Sequence, residues 1–143
     1  MKSIVMLMCG KNKLPHKAKA KDLYTSPRFQ KSIEYAKTIT AYSCIYILSA
    51  KYGLVELEQE LAPYDKSLYE MSAQEKKEWA VEVVKSLLSI SDPNTDKYFF
   101  LTDDTYNEYL LPLLSNYELP LKGIPQEEHI TFYNNQLSDL GDG

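Results

Sequence analysis

Ile45-Tyr46-Ile47-Leu48-Ser49-Ala50-Lys51-Tyr52-Gly53-Leu54 is a β-branched and aromatic run that stops abruptly at small and polar residues. It reads as a buried strand whose carboxyl end opens into a turn, with Gly53 free to take positive φ. Two further short apolar runs, Ile4-Val5-Met6-Leu7-Met8 and Lys97-Tyr98-Phe99-Phe100-Leu101, have the same character. Three such strands alternating with helical patterns imply βαβ crossovers and a mainly parallel sheet covered on both faces. The expected fold is therefore α/β, a compact three-layer sandwich around a small sheet of three to five strands. In open α/β sheets ligands sit at the carboxyl ends of the strands. Ser49, Lys51, Tyr52 and Gly53, with Tyr64 and Asp65 from Ala62-Pro63-Tyr64-Asp65, are the first candidates for a site. The competing reading is a tight strand-to-loop turn with a snorkelling lysine and packed tyrosines.

The helices announce themselves by their caps. Ser26-Pro27 is an N-cap with proline at the first helical position, and Phe29, Ile33, Ala36 and Ile39 follow at helical spacing, predicting a helix over 26–40. Ser72-Ala73-Gln74-Glu75 is a capping box opening a second helix that stops at Asp92-Pro93-Asn94. Thr102-Asp103-Asp104 caps a third, which Pro112 shortens or kinks. Between the second strand and second helix, residues 52–69 read as a long irregular connection, a length more often functional than idle. Residues 127–137 fit either a final helix or an edge strand. The expected organisation is one domain over residues 1–137, followed by a frayed tail over 138–143.

Charge is distributed unevenly. Up to Lys51 the chain carries ten Lys and Arg against Asp22 and Glu34; the remainder carries six against eighteen. Lys11, Lys13, Lys17, Lys19 and Lys21 crowd into one loop after the first strand, where they can meet phosphates, whereas the acidic remainder would repel a polyanion. A solvated loop kept soluble by lysines is the alternative. No apolar run approaches the roughly 20 residues that cross a bilayer. No signal-peptide pattern precedes the first strand, so the expected setting is cytoplasmic, without a membrane partner. Cys9 and Cys44 then read as free thiols, and neither cysteines nor histidines have metal-ligand spacing. Cys9 is either a reactive thiol or a small core residue.

Several chemistries are disfavoured. Neither GxGxxG nor GxxxxGK[ST] occurs, which argues against the common dinucleotide and nucleoside-triphosphate sites, and no cofactor is expected. Nothing resembles a nucleophile elbow, and His16 and His129 are isolated.

Four blocks carry a family resemblance: Cys9-Gly10-Lys11-Asn12-Lys13, Ala20-Lys21-Asp22-Leu23-Tyr24-Thr25-Ser26-Pro27-Arg28-Phe29, Ile47 to Leu54, and Ala62-Pro63-Tyr64-Asp65. They resemble a set of short bacterial and phage proteins whose domain has no assigned function. The Ser-Ala-Lys-Tyr-Gly-Leu block is also similar to that of YaaA-type peroxide-stress proteins. More distantly the chain resembles the uracil-DNA glycosylase superfamily and the glycosylase-like domains attached to tRNA-guanine transglycosylases. The resemblance is dense up to Asp65 and thinner towards Pro120-Leu121-Lys122-Gly123. After Gly123 the chain departs from the pattern, so no site residue is carried over from there. What the resemblance implies is an α/β sandwich working on a nucleobase or an N-glycosidic bond, with phage biology or phage defence as a setting.

Breaking an N-glycosidic bond develops positive charge on the sugar and negative charge on the departing base. Asp65 or Asp22 could steady the cation or orient water, while Lys51, Tyr52 or Ser49 could donate to the base. Tyr24, Tyr52 and Tyr64 could stack on an extruded base, each contributing roughly 1–3 kcal/mol. Cys9 lines the same edge, and Lys11, Lys13 and Lys21 would hold flanking phosphates. Against this, Asp22 and Asp65 could serve only as turn residues, and several of twelve tyrosines must be core residues. The leading expectation is a protein acting on nucleic acid or nucleotide, glycosylase-like and a hydrolase if catalytic. The alternatives are a non-catalytic DNA- or nucleotide-binding module, and an acidic partner-binding protein.

Overall fold

The run from Ile4 to Met8 lies in β1 (Ser3–Met8), and its side chains alternate between two cores. Val5 and Leu7 share one core with Ala20 and Leu23 of α1 (Ala20–Leu23), Phe29, Ile33 and Ala36 of α2 (Pro27–Ala36) and Tyr133 of α5 (His129–Gly141). Ile4, Met6 and Met8 share the other with Trp79, Val83 and Leu87 of α3 (Ala73–Ile90) and Tyr106 and Leu110 of α4 (Asp104–Leu110). A strand buried on both faces must be apolar at every position, which is why β1 reads as an unbroken run. The computed structural model describes residues 1–141.

β1 pairs in parallel with β3 (Ile45–Ser49) on one side and β6 (Lys97–Leu101) on the other. β6 pairs in parallel with β7 (Tyr117–Glu118), and β3 pairs antiparallel with β4 (Gly53–Glu56). The principal sheet is five-stranded, in the order β4-β3-β1-β6-β7. A two-stranded antiparallel piece joins β2 (Ala18–Lys19) to β5 (Glu60–Leu61). The expected mainly parallel α/β sandwich is thus the observed one, with one antiparallel pair in the main sheet.

The caps form as their residue types dictate. Ser26 Oγ accepts from the Phe29 amide, the Ser72–Glu75 box closes in both directions, and Asp103 accepts from the Thr105 and Tyr106 amides. The first long helix ends at Ala36, four residues short of the expected limit, and Tyr42–Cys44 form a single 3₁₀ turn before β3. Residues 52–69 depart from the irregular connection expected of them, because Gly53, at φ +72°, turns the chain straight back along β3. Val55 and Leu57 then reach the core while Glu56 stays exposed, the alternation of a half-buried strand. The lysine loop likewise contains β2 and α1. Residues 127–137 fall in a 3₁₀ turn (Gln126–Glu128) and α5, which continues to Gly141, four residues into the expected tail. The last two residues lie outside the described chain.

Strands are added to opposite sides of β1, and the connections leaving β1 and β6 cover opposite faces: α2 belongs to the Val5 core and α4 to the Met6 core. The carboxyl ends of β1 and β6, at Cys9 and Thr102, therefore flank the point where the sheet reverses its direction of growth. In this architecture that crevice is the place for a ligand.

Candidate functional site

Ser49 ends β3 fully buried, and its hydroxyl organises the turn that follows. Its oxygen accepts from the amides of Lys51 and Tyr52 at 3.2 and 3.0 Å, and it donates to Tyr64 Oη at 2.8 Å. Tyr64 Oη lies 2.6 Å from Tyr24 Oη. Three hydroxyls thus share two mutual hydrogen bonds. Whichever way the Tyr24–Tyr64 bond runs, one phenolic proton remains undonated among the described residues. Burial, and secondarily the nearby Cys9 sulfur, push both phenols well above the usual tyrosine range. Near neutral pH they are proton donors, not bases.

Cations and aromatic faces surround this relay. Lys13 Nζ sits 4.5 Å from the Tyr64 ring centroid, Lys51 Nζ sits 5.3 Å from that of Tyr52, and the two rings meet edge to face at 5.4 Å. Lys13 comes from the loop after β1 and Lys51 from the loop after β3. Two stretches distant in sequence are therefore brought to one edge of the sheet, since β1 and β3 are parallel neighbours. Lys13 also donates to the Lys11 carbonyl at 3.3 Å, which keeps Lys11 in the same exposed loop. Lys51, Tyr52 and Gly53 further line a cavity of about 390 Å³ against α3, walled on that side by Glu75, Glu78 and Glu82.

Other candidates stand apart. Lys21 pairs with Glu58 at 3.2 Å, Lys19 with the same carboxylate at 2.8 Å and Lys17 with Glu60 at 3.6 Å. Hydrogen bonds from Lys19, Tyr42 and Lys21 hold Glu58 down to about 2. Three of the five loop lysines thereby share two carboxylates, whereas Lys11 and Lys13, with Lys51, carry basic charge at the edge itself. Asp22 lies inside α1. Asp65 is exposed, and among the described residues it takes part in no hydrogen bond or ion pair.

The sheet edge contains a second cluster that the sequence reading passed over. Cys9 Sγ lies 3.2 Å from Tyr106 Oη, and its carbonyl accepts from Arg28 Nη2 at 3.5 Å. Tyr69 donates to Asp103, the N-cap of α4, and its ring meets Tyr106 edge to face. Burial, then the Asp103 carboxylate, raises Tyr69; burial, then Cys9, raises Tyr106. Cys9 thus sits between the Ser49–Tyr64–Tyr24 relay and the Asp103–Tyr69–Tyr106 cluster. Asp103 lies two residues beyond β6 and Ser49 closes β3, so the strand-end rule that selected Ser49 selects Asp103 as well. Arg28 was visible as the residue beside the Ser26-Pro27 cap, but nothing in its spacing says that it turns towards Cys9.

Among the described residues no group of three or more His, Cys, Asp and Glu side chains could hold a metal ion, and no described helix is long and apolar enough to cross a membrane. No curated protein and no solved structure matches this chain. Residues 4–135, nearly all of the polypeptide that builds this edge, match a family model, and the chain accordingly belongs to DUF6884, a family of unknown function.

Proposed function

We propose that the carboxyl edge of the sheet binds a nucleotide or a short stretch of nucleic acid and that the protein is a glycosylase-like hydrolase of the N-glycosidic bond. The observation that carries this reading is the undonated proton of the Ser49–Tyr64–Tyr24 relay beside the Lys13 ammonium. A neutral phenolic donor next to a fixed cation suits a departing base, whose nitrogen or oxygen gains negative charge as the bond breaks. Tyr52 and Tyr64 supply aromatic surface, and Lys11, Lys13 and Lys51 supply phosphate contacts. Asp103 takes the role of the carboxylate that steadies the sugar cation, because it is held at the sheet switch point by Tyr69 and two backbone amides.

The test is base release from a panel of modified and damaged oligonucleotides and free nucleosides. Wild type is expected to yield free base. Asp103→Asn, which preserves the N-cap, is expected to lose about 10²-fold or more in rate while binding persists. With three lysines engaged, the logarithm of single-strand affinity should fall with the logarithm of salt at a slope of about 2. Neither product nor binding from any member of the panel would overturn the reading. Binding without product would leave a non-catalytic module recognising nucleotides, and one observation favours that second reading: both Asp103 oxygens are already hydrogen-bonded.

A further inference from the structure

β7 closes one side of the principal sheet, and among the described residues no strand pairs with its outer side. Its pairing with β6 is parallel, with Tyr98 opposite Tyr117, and the Tyr98 amide donates to the Asn116 carbonyl at 3.1 Å. In a parallel ladder alternate residues aim their backbone groups at opposite neighbours, so Asn116 and Glu118 face β6 while the N–H and C=O of Tyr117 point outward. The next outward position, Leu119, already gives its carbonyl to the Lys122 amide at 3.1 Å. The open edge is therefore short, and Tyr117 is 38% exposed on it.

Grooves lie on both faces of this edge. On the α4 side one of about 550 Å³ is lined by Leu111, Pro112 and Tyr117, with Asp104 and Glu108. On the α2 side another of about 410 Å³ is lined by Tyr35, Ile39, Phe99 and Leu119, with Glu118. Successive side chains of a strand point to opposite faces of its sheet, so a segment laid along Tyr117 would send neighbouring residues into the two grooves in turn. Its central residues must all be apolar, unlike the alternation of a half-buried strand. Charge decides what flanks them. Residues 103–121 hold four acids and no Lys or Arg, and the one cation paired with these groove acids is Lys97, on Glu118 at 2.7 Å. A second copy pairing β7 against β7 would set these acids against their own kind, and a polyanion would be repelled.

The geometry points to β7 as a docking edge for an extended polypeptide segment, a short run of apolar residues flanked by lysine or arginine, added as a sixth strand beside Tyr117. The backbone of Tyr117 fixes its register, the two grooves take its apolar side chains, and Asp104, Glu108 and Glu118 select its basic flanks. Nothing in this rests on the nucleotide reading, since Tyr117 lies at the lateral edge of the sheet and the relay at the carboxyl ends of β1 and β3.

The experiment titrates the full, nitrogen-labelled chain at low ionic strength with the blocked peptide Lys-Lys-Val-Ile-Val-Lys-Lys, following the Tyr117 amide by NMR. That amide is expected to shift saturably and its hydrogen exchange to slow about tenfold or more. With proline in place of the central isoleucine the peptide loses a ladder N–H, and protection of Tyr117 is expected to vanish. With glutamate in place of the lysines, binding is expected to weaken about tenfold or more. Glu108→Gln combined with Glu118→Gln is expected to weaken binding of the basic peptide about fivefold, as two exposed charge contacts would. A silent Tyr117 amide, or equal binding of the acidic or the proline peptide, would overturn the inference. So would protection of Tyr117 that grows with protein concentration in the absence of peptide, which would make a second copy the occupant. The three peptides on the wild-type chain decide the matter if the double variant does not fold.

Discussion

Ser49 illustrates how much one hydroxyl can hold. It accepts two backbone amides and donates to Tyr64, while its own carbonyl accepts from Trp79 Nε1 of α3 at 2.9 Å. Ser49→Ala leaves two amides and a phenol without their partner in a buried setting, and the expected loss is about 1–3 kcal/mol. Tyr64→Phe removes the middle of the relay and is expected to cost about 1 kcal/mol. Because both variants delete the same Ser49–Tyr64 bond, the double variant should lose less than the sum of the two. Urea unfolding of the four proteins measures this directly; strict additivity would mean the relay is not a connected unit.

At the scale of elements, the β3–β4 hairpin is where local chemistry overrides the apparent irregularity of residues 52–69. Gly53 adopts φ +72°, and a Cβ there would touch only Val83 Cγ2, at an ordinary 3.9 Å. Space is therefore not the obstacle. Gly53→Ala is expected to destabilise by about 1–2 kcal/mol through backbone strain alone, and Gly53→Asn by less, since asparagine tolerates the left-handed region better. Comparing urea midpoints of the two variants checks the order; equal losses would indicate a packing effect. The same turn sets Lys51 and Tyr52 beyond the end of the strand, so its geometry matters to the candidate site as well as to the sheet.

Across the whole molecule, the tyrosines make a shared statement about pH. Burial raises the pKa of Tyr24, Tyr64, Tyr106 and Tyr133 above the unfolded value near 10. The folded state then binds more protons than the unfolded state at alkaline pH, so stability is complete below about pH 10 and falls as pH rises beyond it. Phenolate absorbance from these residues should appear together with the loss of near-ultraviolet circular dichroism, in one cooperative transition. Gradual ionisation of the four phenols in a protein that stays folded would contradict their burial.

Element types, caps and the parallel sheet were legible in the amino-acid order because each rests on local rules: apolar runs for β1, β3 and β6, Ser26-Pro27 and Ser72 to Glu75 for α2 and α3, Asp103 for α4. Proximity at the carboxyl edge was legible in part, since the strand-end rule brings Lys13 and Lys51 to the same side. Tertiary structure alone decided that Lys19 and Lys21 share Glu58, that Cys9 joins the two tyrosine clusters, and that His129 meets the Ile124 carbonyl through one ring nitrogen while the other has no partner among the described residues. The reason is physical: strand and cap formation depend on neighbours within a few residues, whereas ion pairs, hydroxyl relays and orphaned acceptors depend on which distant side chains share a few ångströms once the layers have closed.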